Sequence, residues 1–93
     1  MNQRTAHVNP EELHKFAAHL KSFNERLSQD SQRLQGRFRK LGSSAWKDEV
    51  HDRFAQEFEQ TMKVISKFIQ HSEKHIPFLH KKARAVEEGY LRR

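Results

Sequence analysis

The feature that most constrains this chain is a row of leucines spaced by seven residues. The row consists of Leu13, Leu20, Leu27, Leu34 and Leu41, and three phenylalanines lie three or four positions from these leucines, at Phe16, Phe23 and Phe38. Because an α-helix turns once per 3.6 residues, positions at these intervals share one narrow face. The pattern predicts a long helix from about residue 9 to residue 41.

Local signals predict both ends of this first helix. Asn9 is a suitable N-cap, Pro10 suits the first helical position, and Glu12 completes the spacing of a capping box. Gly42 follows the last leucine directly, which is typical of a left-handed residue that stops a helix. We therefore expect a turn at 42–44, in which one of the two serines caps the next helix.

A second run of apolar residues at intervals of three, four and seven predicts another helix from about residue 45 to residue 90. Its stripe begins at Trp46 and Val50 and continues along the chain to Val86 and Tyr90. Pro77 lies inside this run, and an interior proline removes one backbone hydrogen bond at a cost of about 3 kcal/mol. We expect a kink near Pro77, or a break with Pro77 opening a third segment.

The predicted fold class is all-α, with residues 1–93 forming a single antiparallel two-helix hairpin. Only 34% of the 93 residues are hydrophobic, and a chain of this length buries only about 60 to 65% of its unfolded surface. Two helices alone would leave their large side chains half exposed, so we expect pairing into a four-helix bundle dimer. The predicted core and dimer stripe comprises Leu13, Phe16, Leu20, Phe23, Leu27, Leu34, Phe54, Phe58, Met62, Ile65, Ile69, Ile76 and Leu79.

Composition excludes several classes of function. The absence of cysteine excludes disulfides, thiolate nucleophiles and cysteine-ligated metals. No Gly-rich phosphate loop or serine elbow is present, so we predict no enzyme and no cofactor. The sequence has neither a secretory signal peptide nor a run of about 18 apolar residues, which predicts no stable membrane insertion. We expect a cytoplasmic protein, or one secreted without a signal peptide.

The chain resembles the WXG family of small helical hairpins, which act in bacterial type VII secretion. The resemblance covers nearly the whole chain and rests on the two long helices, on Ser44-Ala45-Trp46 after the predicted turn, and on Phe54 eight residues later. It implies a non-enzymatic substrate or structural partner of such a system, folded as a homodimer or as a heterodimer with a related hairpin. It also implies a secretion ATPase or a larger effector as a further partner.

Two positions depart from the family pattern. The family motif has a glycine two residues after the tryptophan, where this chain has Asp48. The family also has a C-terminal tyrosine followed four positions later by an acidic residue, whereas Tyr90 is followed only by Leu91, Arg92 and Arg93. In the family that tyrosine and acidic residue form a C-terminal export signal. We therefore expect a relative that stays inside the cell or depends on the signal of a partner.

Trp46 has two compatible interpretations. Its indole can close the end of the bundle as an aromatic plug while its N–H reaches water or a turn carbonyl. The family resemblance adds that Gly42, Ser43 and Trp46 frame a surface at the turn, on which the tail of a partner docks.

The histidines give little support for a metal site. His71 and His75 have the i,i+4 spacing that places two imidazoles on one helical face, but Glu73 lies about 200° around the helix from His71. No third ligand is evident from spacing, so these two are weak candidates that would bind nickel or zinc only incidentally.

Basic residues form two clusters, one before the turn and one at the end of the chain. The first cluster is Arg33, Arg37, Arg39 and Lys40, and the second is Lys81, Lys82, Arg84, Arg92 and Arg93. Such clusters favour an alternative function, an intracellular basic helical protein that binds nucleic acid or an acidic partner. The aromatic residues lie on the apolar stripes rather than among the charges, which argues against base stacking. A further alternative is a coiled-coil adaptor joined to a much larger protein.

Overall fold

A computed structural model describes residues 7–91 of the chain, which form two long helices. Helix α1 spans Pro10–Ser44 and helix α2 spans Glu49–Leu91, with residues 45–48 between them. No strand occurs among the described residues. His14, near the start of α1, contacts His80, near the end of α2. Phe38, near the end of α1, contacts Phe58, nearer the start of α2. The helices are therefore antiparallel, and the predicted all-α hairpin is confirmed.

The start of α1 follows the predicted capping chemistry. Asn9 is extended, its Oδ1 accepts a hydrogen bond from the Glu12 N–H at 3.2 Å, and Pro10 is the first helical residue. Glu12 lies 3.5 Å from the Lys15 ammonium. The acidic first turn also complements the positive end of the helix dipole.

The end of α1 differs from the prediction, because the helix continues through Gly42 to Ser44. No described glycine has a positive φ, so Gly42 is an ordinary helical residue rather than a left-handed stop. The N–H groups of Ala45 and Trp46 both donate to the Leu41 carbonyl at 2.9 Å, which closes the last turn. The predicted turn at 42–44 thus lies three residues later, at 45–48.

The start of α2 also corrects the prediction, since neither serine caps it. The side chains of Ser43 and Ser44 instead donate to the Lys40 carbonyl within α1, at 3.0 and 3.1 Å. Asp48 is the residue whose Oδ1 accepts a hydrogen bond from the His51 N–H, at 2.8 Å. Aspartate is among the strongest N-caps, and its charge is favourable at a helix start.

Helix α2 runs through Pro77 without a break, so no third segment forms among residues 7–91. Pro77 cannot donate to the carbonyl of Glu73, and both residues are exposed. Pro77 therefore lies on a solvent-exposed face of α2 rather than in the seam.

The hairpin is a single layer of two helices, with extents of 67 × 27 × 15 Å. A helix with its side chains is about 10–12 Å across, so the shortest dimension leaves no room for a second layer. The radius of gyration is 20.6 Å, whereas a compact domain of this length would have roughly 12 Å. The two helices therefore meet along one seam only.

That seam is closed by small and polar residues rather than by large apolar ones. Ala17 and Ala83 are fully buried, and the largest fully buried side chain among the described residues is that of Asn24. The Asn24 amide donates to the Ser72 hydroxyl at 2.6 Å, and this hydroxyl donates to the Ile69 carbonyl at 3.2 Å. The interior of one hairpin is consequently thin.

Candidate interaction surface

The main surface of interest is a continuous row of large apolar side chains that remain exposed, which we call the apolar face. On α1 its members recur at intervals of 7 and 11 residues, close to two and three whole turns. Phe23 and Phe68 meet edge to face with ring centres 6.2 Å apart, which joins the rows of the two helices. The apolar face consists of Phe16, Phe23, Leu34 and Leu41 on α1, and Val50, Phe54, Val64, Phe68 and Phe78 on α2.

The predicted core and dimer stripe divides into two groups in the structure. Residues between the helices are partly covered: Leu13, Leu20, Leu27, Phe58, Met62, Ile65, Ile69, Ile76 and Leu79. The other members, Phe16, Phe23, Leu34 and Phe54, belong to the apolar face. Val64 and Phe78 also belong to the apolar face, where they are 65% and 63% exposed, but the sequence analysis did not place them in the stripe.

Trp46 lies in the connecting segment, in contact with an aromatic cluster at the tip of the hairpin. The centre of its ring lies 5.1 Å from that of His51, which it meets edge to face, and 6.2 Å from that of Phe54. The ring centre of Phe38 on α1 lies 4.8 Å from that of Phe58 and 5.5 Å from that of Phe54, both on α2. Both helices therefore contribute to the cluster. Trp46 remains partly exposed, so the aromatic cluster does not enclose it completely.

His51 is the central member of this cluster, and sequence reasoning missed it. Its imidazole stacks on Phe38 with ring centres 5.1 Å apart and planes 13° from parallel. Only 14% of the side chain is exposed, Nδ1 lies 3.4 Å from an Asp52 oxygen, and Nε2 is buried without a hydrogen-bond partner. The only sequence signal was its spacing of three and seven residues from Phe54 and Phe58.

Gly42 leaves the space that this imidazole occupies. A Cβ built at Gly42 would lie 2.8 Å from His51 Nε2, closer than real Cβ atoms approach. Gly42 and Ser43 also line a shallow cavity of about 300 Å³ beside Trp46. The three predicted turn residues are therefore brought together at the tip, although Gly42 and Ser43 belong to α1.

A second histidine cluster lies at the open end of the hairpin, where the termini of the two helices meet. The Nδ1 atoms of His14 and His80 lie 2.7 Å apart, and His14 Nε2 lies 3.5 Å from a Glu87 oxygen. The ring centres are 4.9 Å apart, so the two nitrogens point at each other, as in a hydrogen bond. This pair connects α1 to α2 across the seam.

His71 and His75, the weak metal candidates, are both exposed on α2. Within residues 7–91, no three histidine or acidic side chains converge as metal ligands would.

The described members of the two basic clusters are all exposed, and the guanidinium of Arg33 lies 3.6 Å from the carboxylate of Asp30. Arg92 and Arg93 are outside the described residues. Neither described helix combines the length and the apolar content that crossing a membrane requires.

The hairpin geometry, with a tryptophan between the helices, agrees with a comparison against protein families. Residues 6–89 match the model of WXG100, described as proteins of 100 residues with WXG. The chain belongs to the WXG100 family. The match spans both helices and the segment that carries Trp46, so it confirms the resemblance over nearly the whole chain. No match was found among curated proteins or among solved structures.

Proposed function

We propose that this WXG100 protein is a non-enzymatic interaction module that acts as a dimer. In this proposal two hairpins pair through their apolar faces into a four-helix bundle. The protein serves as a substrate or structural partner of a type VII-like secretion system, and it is cytoplasmic or secreted without a signal peptide. The observation that carries the proposal is the row of exposed phenylalanines along one side of the hairpin.

The energetics of burial support pairing through this face. Phe16 is 57% exposed and Phe78 is 63% exposed, and full burial of such a side chain contributes about 1.5–3 kcal/mol. Monomeric soluble proteins rarely expose apolar patches larger than a few hundred Å². Covering the apolar face is therefore the largest source of stability open to a hairpin whose own interior is thin.

The tip of the hairpin supplies the second part of the proposal. The ring of Trp46 contacts those of His51 and Phe54, and the residue is partly exposed. Tryptophan is enriched among residues that dominate binding energy at interfaces. We assign to this tip the docking of a partner's tail, with a secretion ATPase or a larger effector as the partner that the family resemblance implies.

The dimer is tested with two aspartate substitutions in α1, measured by size-exclusion chromatography with light scattering. Phe16→Asp places a charge in the apolar face, so the hairpin should remain helical but elute as a monomer. Ala18→Asp is the matched control, because Ala18 is exposed about 200° around the same helix. Association of Phe16→Asp as strong as that of Ala18→Asp would refute pairing through the apolar face, and a wild-type monomer at micromolar concentration would refute pairing between two copies of this chain.

Residues in the seam between the two helices are unsuitable for that test. Leu27 and Phe58 lie partly covered between α1 and α2. An aspartate at either position would put an unpaired charge into the seam and unfold the hairpin itself. Loss of association in such a variant would not distinguish the dimer interface from the fold.

A further inference from the structure

The apolar face is bordered by charged residues of predominantly one sign. We define its rim as the charged residues three or four positions along the same helix from a residue of the apolar face, because such positions are neighbours on a helix surface. Six cations of the rim make no ion pair among the described residues: Arg26, Arg37, Lys67, Lys74, Lys81 and Lys82. A seventh, Arg53, lies 3.6 Å from Glu49.

The acidic residues of the rim are fewer, and their own helix already neutralises most of them. They are Glu12, Asp30 and Glu57. Glu12 lies 3.5 Å from Lys15, and Asp30 lies 3.6 Å from Arg33. Within residues 7–91 only Glu57 is left as an acidic rim residue without an ion pair. The border of the apolar face therefore carries an excess of unpaired positive charge.

This excess discriminates between partners. When two copies of this chain pair through the face, cations of one rim approach cations of the other, and charges closer than about 8 Å are poorly screened at physiological salt. A partner with an acidic rim would instead form ion pairs around the same apolar contact, which favours both encounter and specificity. We infer that the apolar face is built for a helical partner whose apolar surface is bordered by acidic residues, rather than for a second copy. This inference rests on the proposed function, since it takes the apolar face as the interface.

A charge-reversed copy of the protein itself serves as the acidic probe. The variant Arg26→Glu, Arg37→Glu and Lys82→Glu keeps the apolar face and reverses three rim cations. Its dissociation constant with fluorescently labelled wild type is compared with that of wild type for itself, by analytical ultracentrifugation at 50 mM and 1 M NaCl. At low salt the mixed complex should be at least tenfold tighter than the homodimer, and at high salt the difference should vanish.

A second triple variant controls for net charge. Lys21→Glu, Arg39→Glu and Arg84→Glu reverse three exposed cations that lie two positions from Phe23, Leu41 and Lys82 respectively. A spacing of two residues places them about 200° around the helix from those neighbours, away from the rim. Both triples lower the net charge of +6 by the same amount, so only the rim triple should form the tighter mixed complex.

The outcomes separate this inference from the proposed function. Wild-type self-association that equals the mixed complex at low salt overturns the acidic partner but leaves the dimer standing. An absence of any complex at either salt concentration overturns both. Tight binding of wild type to duplex DNA at physiological salt, abolished by the rim triple while no mixed complex forms, would instead assign the rim to nucleic acid.

Discussion

At the scale of single residues, Gly42 shows how one position serves a different purpose from the one its sequence context indicates. A glycine after the last leucine of a heptad row is typical of a left-handed helix end. In the structure the backbone at Gly42 is helical, and the residue is small because His51 packs against it. The need for glycine here arises from a tertiary contact across the hairpin tip, which no local pattern contains.

The substitution Gly42→Ala should therefore destabilise the hairpin, against the usual trend. In a helix interior, alanine is normally about 1 kcal/mol more favourable than glycine. Gly36→Ala should show that gain in urea unfolding, since the nearest atom to its Cβ is an Arg39 side-chain nitrogen at 3.9 Å. At Gly42 the new Cβ would meet His51 Nε2 at 2.8 Å, so the free energy of unfolding should fall instead.

A third variant makes this explanation specific. In a His51→Ala background the obstacle is gone, and Gly42→Ala should recover the ordinary gain in helix stability. If Gly42→Ala stabilises the otherwise unchanged chain as much as Gly36→Ala does, the close packing of His51 on Gly42 is wrong.

At the scale of helices, periodicity predicted that two long helices exist, because intervals of three, four and seven are a property of the sequence alone. The short connection between them predicted that they are antiparallel. It did not predict which stripe residues lie in the seam and which lie on the apolar face. Leu27 and Leu34 are equivalent in the heptad row, yet Leu27 is partly covered and Leu34 is exposed. That division depends on how the two helices are rotated against each other, and the capping residue Asp48 depends on where α1 ends.

The buried hydrogen bond between Asn24 on α1 and Ser72 on α2 is one contact that depends on how the two helices are rotated against each other. Ser72→Ala removes the acceptor of the Asn24 amide in a buried site, where an unsatisfied group costs about 1–3 kcal/mol. In an Asn24→Ala background the same change should cost clearly less, because no amide is left unpaired. A double-mutant cycle by urea unfolding at fixed protein concentration measures this coupling, and additive effects would show that the hydrogen bond does not stabilise the seam.

At the scale of the whole molecule, the seam is thin because most of the large apolar side chains lie on the apolar face instead. Among the described residues, the buried hydrophobic side chains are only those of Ala17 and Ala83, while most of the phenylalanines lie outside the seam. A hairpin 15 Å thick has no second layer to cover that area, so its folding and its association draw on the same side chains. The stability of such a chain is linked by mass action to the concentration of whatever covers the apolar face.

This linkage predicts a melting temperature that rises with protein concentration. If wild type folds as a dimer at millimolar to micromolar concentrations, each tenfold increase should raise the midpoint of thermal unfolding by roughly a few degrees. Phe16→Asp should melt lower and at one temperature throughout the series, because the charge removes the apolar contact between hairpins. Ala18→Asp should follow wild type. Circular dichroism over a hundredfold range of concentration provides the measurement, and a constant midpoint for wild type would show that one hairpin is stable without its apolar face being covered.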